Sequence, residues 1–174
     1  QGKTALMSAT QNRPSAVVGK LIRAGADVNA KDEHGFTALM CASMYEHGEV
    51  VEELIKARAN IYARNNGGGT ALMMACDRGH ERVVSKLCAA GVDINAKDNT
   101  GLTALMIACE RGKTVVVEHL LKAIKIDIKA KNEKGETALM YASRGERRAF
   151  LRGSHEGHET IVDNLIQAGV DIDA

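Results

Sequence analysis

The chain has 174 residues, of which 45% are hydrophobic and 26% are charged, and its net charge is +1. This apolar share excludes a chain that is disordered throughout, and the balanced charge argues against nucleic-acid binding. Only 3% of the residues are aromatic, and Trp is absent. A core must therefore be built from aliphatic side chains and the seven methionines. The apolar runs are a few residues long, against about 20 for a transmembrane helix, so we expect no membrane insertion.

The cysteines carry information on the cellular compartment. Cys41, Cys76, Cys88 and Cys109 are scattered and form no Cys-x-x-Cys motif. Isolated thiols are typical of a reducing compartment, and no signal peptide is recognisable at the N-terminus. We therefore expect a cytoplasmic protein. Because the first residue is Gln1 and not methionine, we also expect the sequence to be an excised or processed piece.

One hexapeptide, Thr-Ala-Leu-Met-x-Ala, occurs five times along the chain. Successive copies begin 33, 33, 33 and 34 residues apart, at Thr4, Thr37, Thr70, Thr103 and Thr137. Five copies of one pattern at a nearly constant interval indicate a repeat architecture. In each copy the threonine is suited to cap the N-terminus of a short helix, because its hydroxyl can accept from an unpaired backbone N–H.

Each copy is followed by a second predicted helix. Its apolar residues come in pairs four positions apart, as in Val50-Val51-x-x-Leu54-Ile55, which gives a stripe wide enough to contact two neighbours. Gly25, Gly91 and Gly169 follow this helix, where a left-handed residue commonly ends it. An Asp-x-x-Gly turn then leads to the next threonine.

Such a unit cannot bury its apolar surface alone, whereas a stack of units buries it continuously. The sequence therefore predicts an all-α fold, a helical solenoid, that forms a single domain over residues 1–174. We place its five repeats at approximately 1–31, 32–64, 65–97, 98–131 and 132–174.

These motifs resemble the ankyrin repeat over essentially the whole chain. The family pattern is Asp-x-x-Gly-x-Thr-Pro-Leu-His-x-Ala, then Gly-His, Val-Val-x-x-Leu-Leu and Gly-Ala-Asp-Val-Asn-Ala. The resemblance implies paired antiparallel helices joined by β-hairpin-like turns. It also implies that the family histidine, which bonds between repeats, is replaced here by apolar packing of methionine, at Met7, Met40, Met73, Met106 and Met140.

Three departures from the pattern stand out. Arg58 occupies the position of the glycine that follows the second helix, and the segment 123–127 holds one extra residue. Eleven residues, approximately 144–154, are inserted after the first helix of the last repeat. This insertion contains four arginines and one glutamate, and it either extends the helix or forms a solvated loop. Long insertions on a rigid scaffold often bind partners, although an engineered graft would look the same.

The sequence offers little catalytic or metal-binding chemistry. Gly112-Lys113-Thr114 lacks the upstream glycine of a phosphate-binding loop. His47, His80 and His158 share one repeat position, and neighbouring helices about 8–10 Å apart hold them too far apart for one zinc ion. His155 and His158 are spaced for a metal pair but lack a third ligand. We predict no enzyme activity, no cofactor and no metal site.

The resemblance implies binding of a protein or peptide through the concave face, formed by the turns and the exposed side of the first helices. Aromatic, Met and Arg residues are enriched in interface cores. The predicted binding residues on this face and in the insertion are Phe36, Met44, Tyr45, Met74, Arg78, Leu102, Ile107, Arg111, Tyr141, Arg147, Arg148, Phe150 and Leu151. Two alternatives stay open: an engineered scaffold with a grafted loop, or the regulatory repeats of a larger enzyme or channel.

The terminal repeats lack polar caps. The last repeat keeps the interior-type residues Ile161, Val162, Leu165 and Ile166, whereas solenoids need polar outer faces on their terminal repeats. We therefore expect either further flanking repeats or a chain that is monomeric or associates weakly end to end.

Overall fold

The computed structural model describes residues 2–11, 15–150 and 156–172, with the side chains of Ser15, residues 145–150 and Glu156 excepted. This part of the chain contains helices, turns and one isolated antiparallel bridge between Lys97 and Thr103. Its helices are α1 (Ala5–Ala9), α2 (Ser15–Arg23), α3 (Ala38–Ser43), α4 (Gly48–Lys56), α5 (Ala71–Arg78), α6 (Glu81–Ala89), α7 (Ala104–Glu110), α8 (Thr114–Leu121), α9 (Ala138–Phe150) and α10 (Glu156–Gln167).

The first helix of every repeat starts directly after its threonine. The threonine hydroxyl accepts a hydrogen bond from the backbone N–H three residues later, at distances between 3.2 Å, in the pair Thr4 and Met7, and 3.4 Å, in Thr37 and Met40. Thr70, Thr103 and Thr137 make the same bond. The predicted caps are confirmed, so the hexapeptide fixes where each of these helices begins.

The second helices bury the predicted apolar pairs. In α4, for example, Val50, Val51 and Leu54 are all buried. Helices of the same kind contact each other along the stack, since α5 contacts α7 and α6 contacts α8. The result is one continuous hydrophobic cluster that extends along the stack from Leu6 to Val170, as the all-α solenoid prediction requires.

The repeated methionines lie between successive repeats. Met7, Met40, Met73 and Met106 are each at most 1% exposed, but Met140 is 39% exposed. The prediction of apolar packing is therefore confirmed at four positions and wrong at Met140. The physical reason is that no described part of the chain covers that side of the last repeat.

Histidines of the Gly-His turns supply polar bonds between repeats. His158 Nε2 lies 3.2 Å from the Glu110 carbonyl oxygen, and His80 Nε2 lies 3.1 Å from that of Met44. The His158 ring approaches Gly112 so closely that a Cβ there would lie 2.7 Å from its Cε1 atom. These bonds between repeats were not predicted from the sequence.

The turns between repeats are braced by one side chain each. Asp32 Oδ1 accepts from the backbone N–H of His34 at 2.9 Å and of Phe36 at 2.8 Å. Neighbouring turns are then joined, because Asn66 Nδ2 donates to the Glu33 carbonyl oxygen at 2.9 Å. Equivalent bonds in later repeats make the turns a connected row.

The structure shows what the departures from the repeat pattern do. Arg58 ends α4 with a φ of +62°, in the left-handed region that the missing glycine would occupy. Ile124, within the segment that holds the extra residue, is fully exposed. Residues 144–150 of the insertion continue the first helix, so α9 has 13 residues, and residues 151–155 lie outside the described ranges. Of the two alternatives for the insertion, helix extension therefore holds as far as Phe150.

Candidate protein-binding face

The bases of the turns and the solvent-facing sides of the first helices form one surface, which we call the turn–helix face. In the second, third and fifth repeats, the residue before the capping threonine lies beside the residue five positions later. Phe36 and Cys41 line the same depression, and a Cβ on Gly69 would lie 2.9 Å from Met74 Cε. The surface thus differs in shape from one repeat to the next.

A depression at the start of this face provides an apolar pocket with a charged rim. It has a volume of about 470 Å³ and is lined by Phe36, Met44 and Tyr45 together with the polar residues Asp32 and Glu33. The Tyr45 ring is exposed and stacks on the His47 ring, with the ring centroids 6.0 Å apart. An apolar side chain of a partner would fit such a concave site.

In the middle of the face, one carboxylate holds two arginines. Asp77 Oδ1 accepts from Arg111 Nε at 2.6 Å, and Arg78 Nε lies 3.5 Å from Asp77 Oδ2. Both arginine side chains are more than half exposed. Since the three residues together carry one net positive charge, this cluster presents guanidinium donors to solvent while it joins the third and fourth repeats.

At the far end of the face, Glu136 organises a polar cluster. The Tyr141 hydroxyl donates to Glu136 Oε2 at 2.9 Å, as does Asn132 Nδ2 at the same distance, and Arg144 donates to Oε1 at 2.7 Å. The Arg144 guanidinium lies 4.7 Å from the centre of the Tyr141 ring. Hydrogen bonds from Arg144 first, then Asn132 and Tyr141, lower the pKa of Glu136 to about 2.

The cysteines of the first helices pack as small apolar groups. Cys41, Cys76 and Cys109 are buried. Burial raises the pKa of the Cys76 and Cys109 thiols well above their ordinary value of 9.0. Both side chains therefore stay protonated at neutral pH and lack the thiolate that nucleophilic chemistry needs.

Most of the predicted binding residues lie on the turn–helix face. Tyr45, Arg78 and Arg111 are exposed there, and Met44 is half-buried. Five others are half-buried and pack against the core: Phe36, Met74, Leu102, Ile107 and Tyr141. Arg147, Arg148 and Phe150 lie in α9, but their side chains are outside the described part of the structure, as is all of Leu151.

Two organising residues of the face escaped the sequence analysis. Asp77 and Glu136 are not among the binding residues predicted from the sequence, yet each holds one or more neighbouring side chains in place. A signal was present: Asp77 and Arg111 lie 34 residues apart, one repeat and one position, which places opposite charges on adjacent first helices. The contacts of Glu136 lie within its own repeat, so the repeat spacing gives no such signal for that residue.

Within the described ranges, no group of three or more His, Cys, Asp and Glu side chains is placed to hold a metal ion. His158, one of the two histidines considered as a pair, bonds to the Glu110 carbonyl oxygen, and His155 lies outside the described ranges. In the same part of the chain, no helix combines the length and apolar character that crossing a membrane requires.

Paired helices in near-identical units that bury their apolar surface on one another define a helical repeat protein. The family model described as ankyrin repeats (3 copies) matches residues 6–98 and 72–174. The chain therefore belongs to the ankyrin-repeat family, whose repeats generally mediate protein–protein interaction. No curated protein sequence matches the chain.

Proposed function

We propose that the chain is a non-catalytic scaffold that binds another protein or peptide through the turn–helix face, which is the concave side in the ankyrin family. The observation that supports this proposal most directly is that one exposed tyrosine and two exposed arginines share a repeat position on this face. Tyr45, Arg78 and Arg111 occupy one repeat position, at the end of the first helix, and all three are exposed. Tyr and Arg are the residue types that most often dominate binding energy.

The pattern of variation between repeats supports this proposal. Buried positions keep one residue type along the chain, as the alanine and leucine after each capping threonine do. On the turn–helix face, the position before the threonine holds Phe36, Gly69, Leu102 and Glu136 in successive repeats. Packing constrains the buried positions, whereas the residues before the capping threonines can vary to fit a partner.

The face is also held in place before a partner arrives. Hydrogen bonds join neighbouring turns, and the Asp77–Arg111 pair joins neighbouring helices. A surface that is already ordered loses little conformational entropy on binding, which favours affinity.

We further propose that the insertion adds contacts at the edge of this face. Arg144 occupies the same repeat position as Met44 and Asp77, so the extended part of α9 starts from the turn–helix face. The bounds 144–154 are approximate, and deletion of the eleven residues 145–155 keeps Arg144 while it places Gly157-His158 in the register of Gly79-His80. The shortened chain should fold and bind the partner more weakly, whereas unchanged affinity would show that the insertion has no part in binding.

The direct test compares two single aromatic deletions in the same repeat. A partner retained by the wild-type chain would first be identified and purified. Tyr45→Ala removes an exposed ring from the turn–helix face, and Tyr62→Ala removes an exposed ring whose hydroxyl bonds to the Gly91 carbonyl oxygen, away from that face. Calorimetric titration should show a loss of roughly tenfold or more in affinity for Tyr45→Ala and little change for Tyr62→Ala. Equal affinity of the two variants would reject this face as the site.

A further inference from the structure

Each repeat has two different contact surfaces, one for the repeat before it and one for the repeat after it. Every junction inside the stack joins one surface of each kind. We call the side that contacts the following repeat the forward side and the side that contacts the preceding repeat the backward side. Within the apolar pair of the second helix, Val17 is exposed and Val18 is buried in the first repeat. The first member of each pair therefore belongs to the backward side and the second member to the forward side.

No part of the chain that the structure describes covers the forward side of the last repeat. Met140 is 39% exposed, while its four counterparts in earlier repeats are at most 1% exposed. Leu139 and Val162 are half-buried, although their counterparts in the other repeats are buried. A depression of about 350 Å³ lies beside them, lined in part by Leu139, Met140 and Ile172. This is the surface that covers the next repeat at each internal junction.

The backward side of the first repeat is likewise left uncovered by the described residues. Val17 is 44% exposed, whereas Val50, Val83 and Val116 are at most 1% exposed. Yet the backward side of the first repeat has the same apolar residue types as the backward sides of later repeats, which a preceding repeat covers. Its backward side consists of Ala5, Ala9, Val17 and Leu21, and that of the second repeat consists of Ala38, Ala42, Val50 and Leu54.

The two ends carry opposite charges at positions that contact each other at the junctions inside the stack. Glu52 Oε2 pairs with Lys86 Nζ of the following repeat at 2.6 Å. At the last internal junction, the same two positions hold Glu118 and Asn164, with Asn164 Nδ2 donating to Glu118 Oε1 at 3.5 Å. The last repeat has Asp163 at the first of these positions.

The matching position on the first repeat is Lys20. Both Asp163 and Lys20 are exposed within their own chain. A junction between the last repeat of one copy and the first repeat of another would therefore repeat the opposite-charge pairing of Glu52 and Lys86.

We propose that a second copy of this chain docks head to tail, with the forward side of its last repeat on the backward side of the first repeat. Met140 then packs on Ala5 and Ala9 of the other copy, and Asp163 pairs with Lys20. This contact joins two different surfaces, so a pair of copies still has one free forward side and one free backward side. Further copies can therefore add at both ends and form a linear assembly. It goes beyond the proposed function, because the turn–helix face takes no part in it and stays open to a partner.

The test is the mass of the 174-residue chain in solution, measured by sedimentation velocity and light scattering from micromolar to submillimolar concentration. The mass of the wild-type chain should rise with concentration from that of one chain, 18.6 kDa, past that of two. Met140→Glu and Val17→Glu each place an unpaired charge in the junction, and each should weaken association at least about a hundredfold. Circular dichroism would show that both variants keep their helices.

A mixture of the two variants makes the test specific. Met140→Glu keeps an intact backward side, and Val17→Glu keeps an intact forward side. An equimolar mixture should therefore form a complex of two chains that grows no further. A wild-type chain that stays at the mass of one chain throughout, or a mixture that fails to associate, would overturn the proposal.

The charge pair is tested by reversal. Asp163→Lys should weaken association roughly fivefold, in keeping with an exposed ion pair turned into a repulsion. The double variant Asp163→Lys with Lys20→Asp should recover most of the loss. Lys125→Asp, a charge reversal on an exposed residue away from both ends, serves as the control and should leave association unchanged. Loss without recovery in the double variant would contradict the pairing.

Discussion

Arg58 shows how one residue can hold a repeat in a conformation that it does not favour. Its φ is +62°, while Gly25, Gly91 and Gly169 take φ values between +83° and +85° at the equivalent position. A side chain with a Cβ in this region is strained, by roughly 1–2 kcal/mol. The second repeat accepts this strain because its neighbours fix the course of the chain.

Replacement of Arg58 by glycine should therefore stabilise the protein. Relief of the strain exceeds the entropic cost of a glycine, about 0.5–1 kcal/mol, so we expect a net gain of about 0.5–1 kcal/mol in the free energy of unfolding. Urea denaturation measures this difference directly.

The neighbouring residue provides a matched control. Ala57 has an ordinary φ of −80°, so Ala57→Gly carries only the entropic cost and should destabilise the chain by about 0.5–1 kcal/mol. A gain for both variants, or a loss for both, would contradict the assignment of strain to Arg58.

At the scale of the element, adjacent repeats are tied by histidines as well as by apolar packing. His158 is buried, and its ring nitrogen bonds to the Glu110 carbonyl oxygen. His158→Ala removes that bond and leaves the carbonyl oxygen without its partner, which should cost about 1–3 kcal/mol in the free energy of unfolding.

The equivalent tie in the third repeat is less buried. His80 is half-buried, so solvent can replace its bond to the Met44 carbonyl oxygen, and His80→Ala should cost less than His158→Ala. Thermal unfolding of the two variants would compare them. A larger loss for His80→Ala would contradict the ranking by burial.

The Glu136 cluster predicts a dependence of stability on pH. The pKa of Glu136 is about 2 in the folded chain, below its ordinary value of 4.5. A carboxyl group whose pKa is lowered by folding stabilises the folded state above its ordinary pKa, and this contribution is lost as the pH falls toward the lower value. The difference in unfolding free energy between the wild type and Glu136→Gln should thus be largest at neutral pH.

Denaturant unfolding over a pH series would check this prediction. The difference should shrink as the pH falls from 4.5 toward 2. Tyr141→Phe removes only one of the donors to Glu136. In a chain that carries Tyr141→Phe, the difference in unfolding free energy caused by Glu136→Gln should therefore be smaller but still present. A difference between wild type and Glu136→Gln that is independent of pH would show that the charge of Glu136 is not what stabilises the cluster.

The elements that local chemistry determines could be predicted from the sequence. Each threonine cap depends on a hydroxyl and an N–H three residues apart, so the hexapeptide was enough to place the first helices. The same pattern predicted burial of the methionines, and it was wrong at Met140 because that burial depends on a following repeat. The bonds of His80, His158 and Asp77 join residues about one repeat or more apart, and they depend on how closely neighbouring units approach.

The candidate site was predicted only in outline. The repeat pattern separates positions fixed by packing from positions free to vary, and this separation located the turn–helix face. It could not show that Tyr141 is held by Glu136 and Asn132, since those contacts depend on rotamers. Tyr141 thus has a structural role in addition to its predicted binding role, which makes Tyr45 the sharper residue to test.

At the scale of the whole molecule, three regions of the stack have different roles. Its interior holds the repeats together, its ends carry the sides that other repeats would cover, and the turn–helix face carries the residues that packing leaves free. A partner bound to that face should leave the second helices untouched, because they lie behind the first helices in each repeat.

Hydrogen–deuterium exchange of the free and partner-bound chain would test the central claim most directly. We predict slower exchange on binding in the turns at 32–36, 65–69 and 98–102, and unchanged exchange in α6 and α8. The inter-repeat bonds made by the turns provide amides whose protection can be followed there. Slower exchange confined to the second helices, with the turns unchanged, would contradict the assignment of the turn–helix face as the binding site.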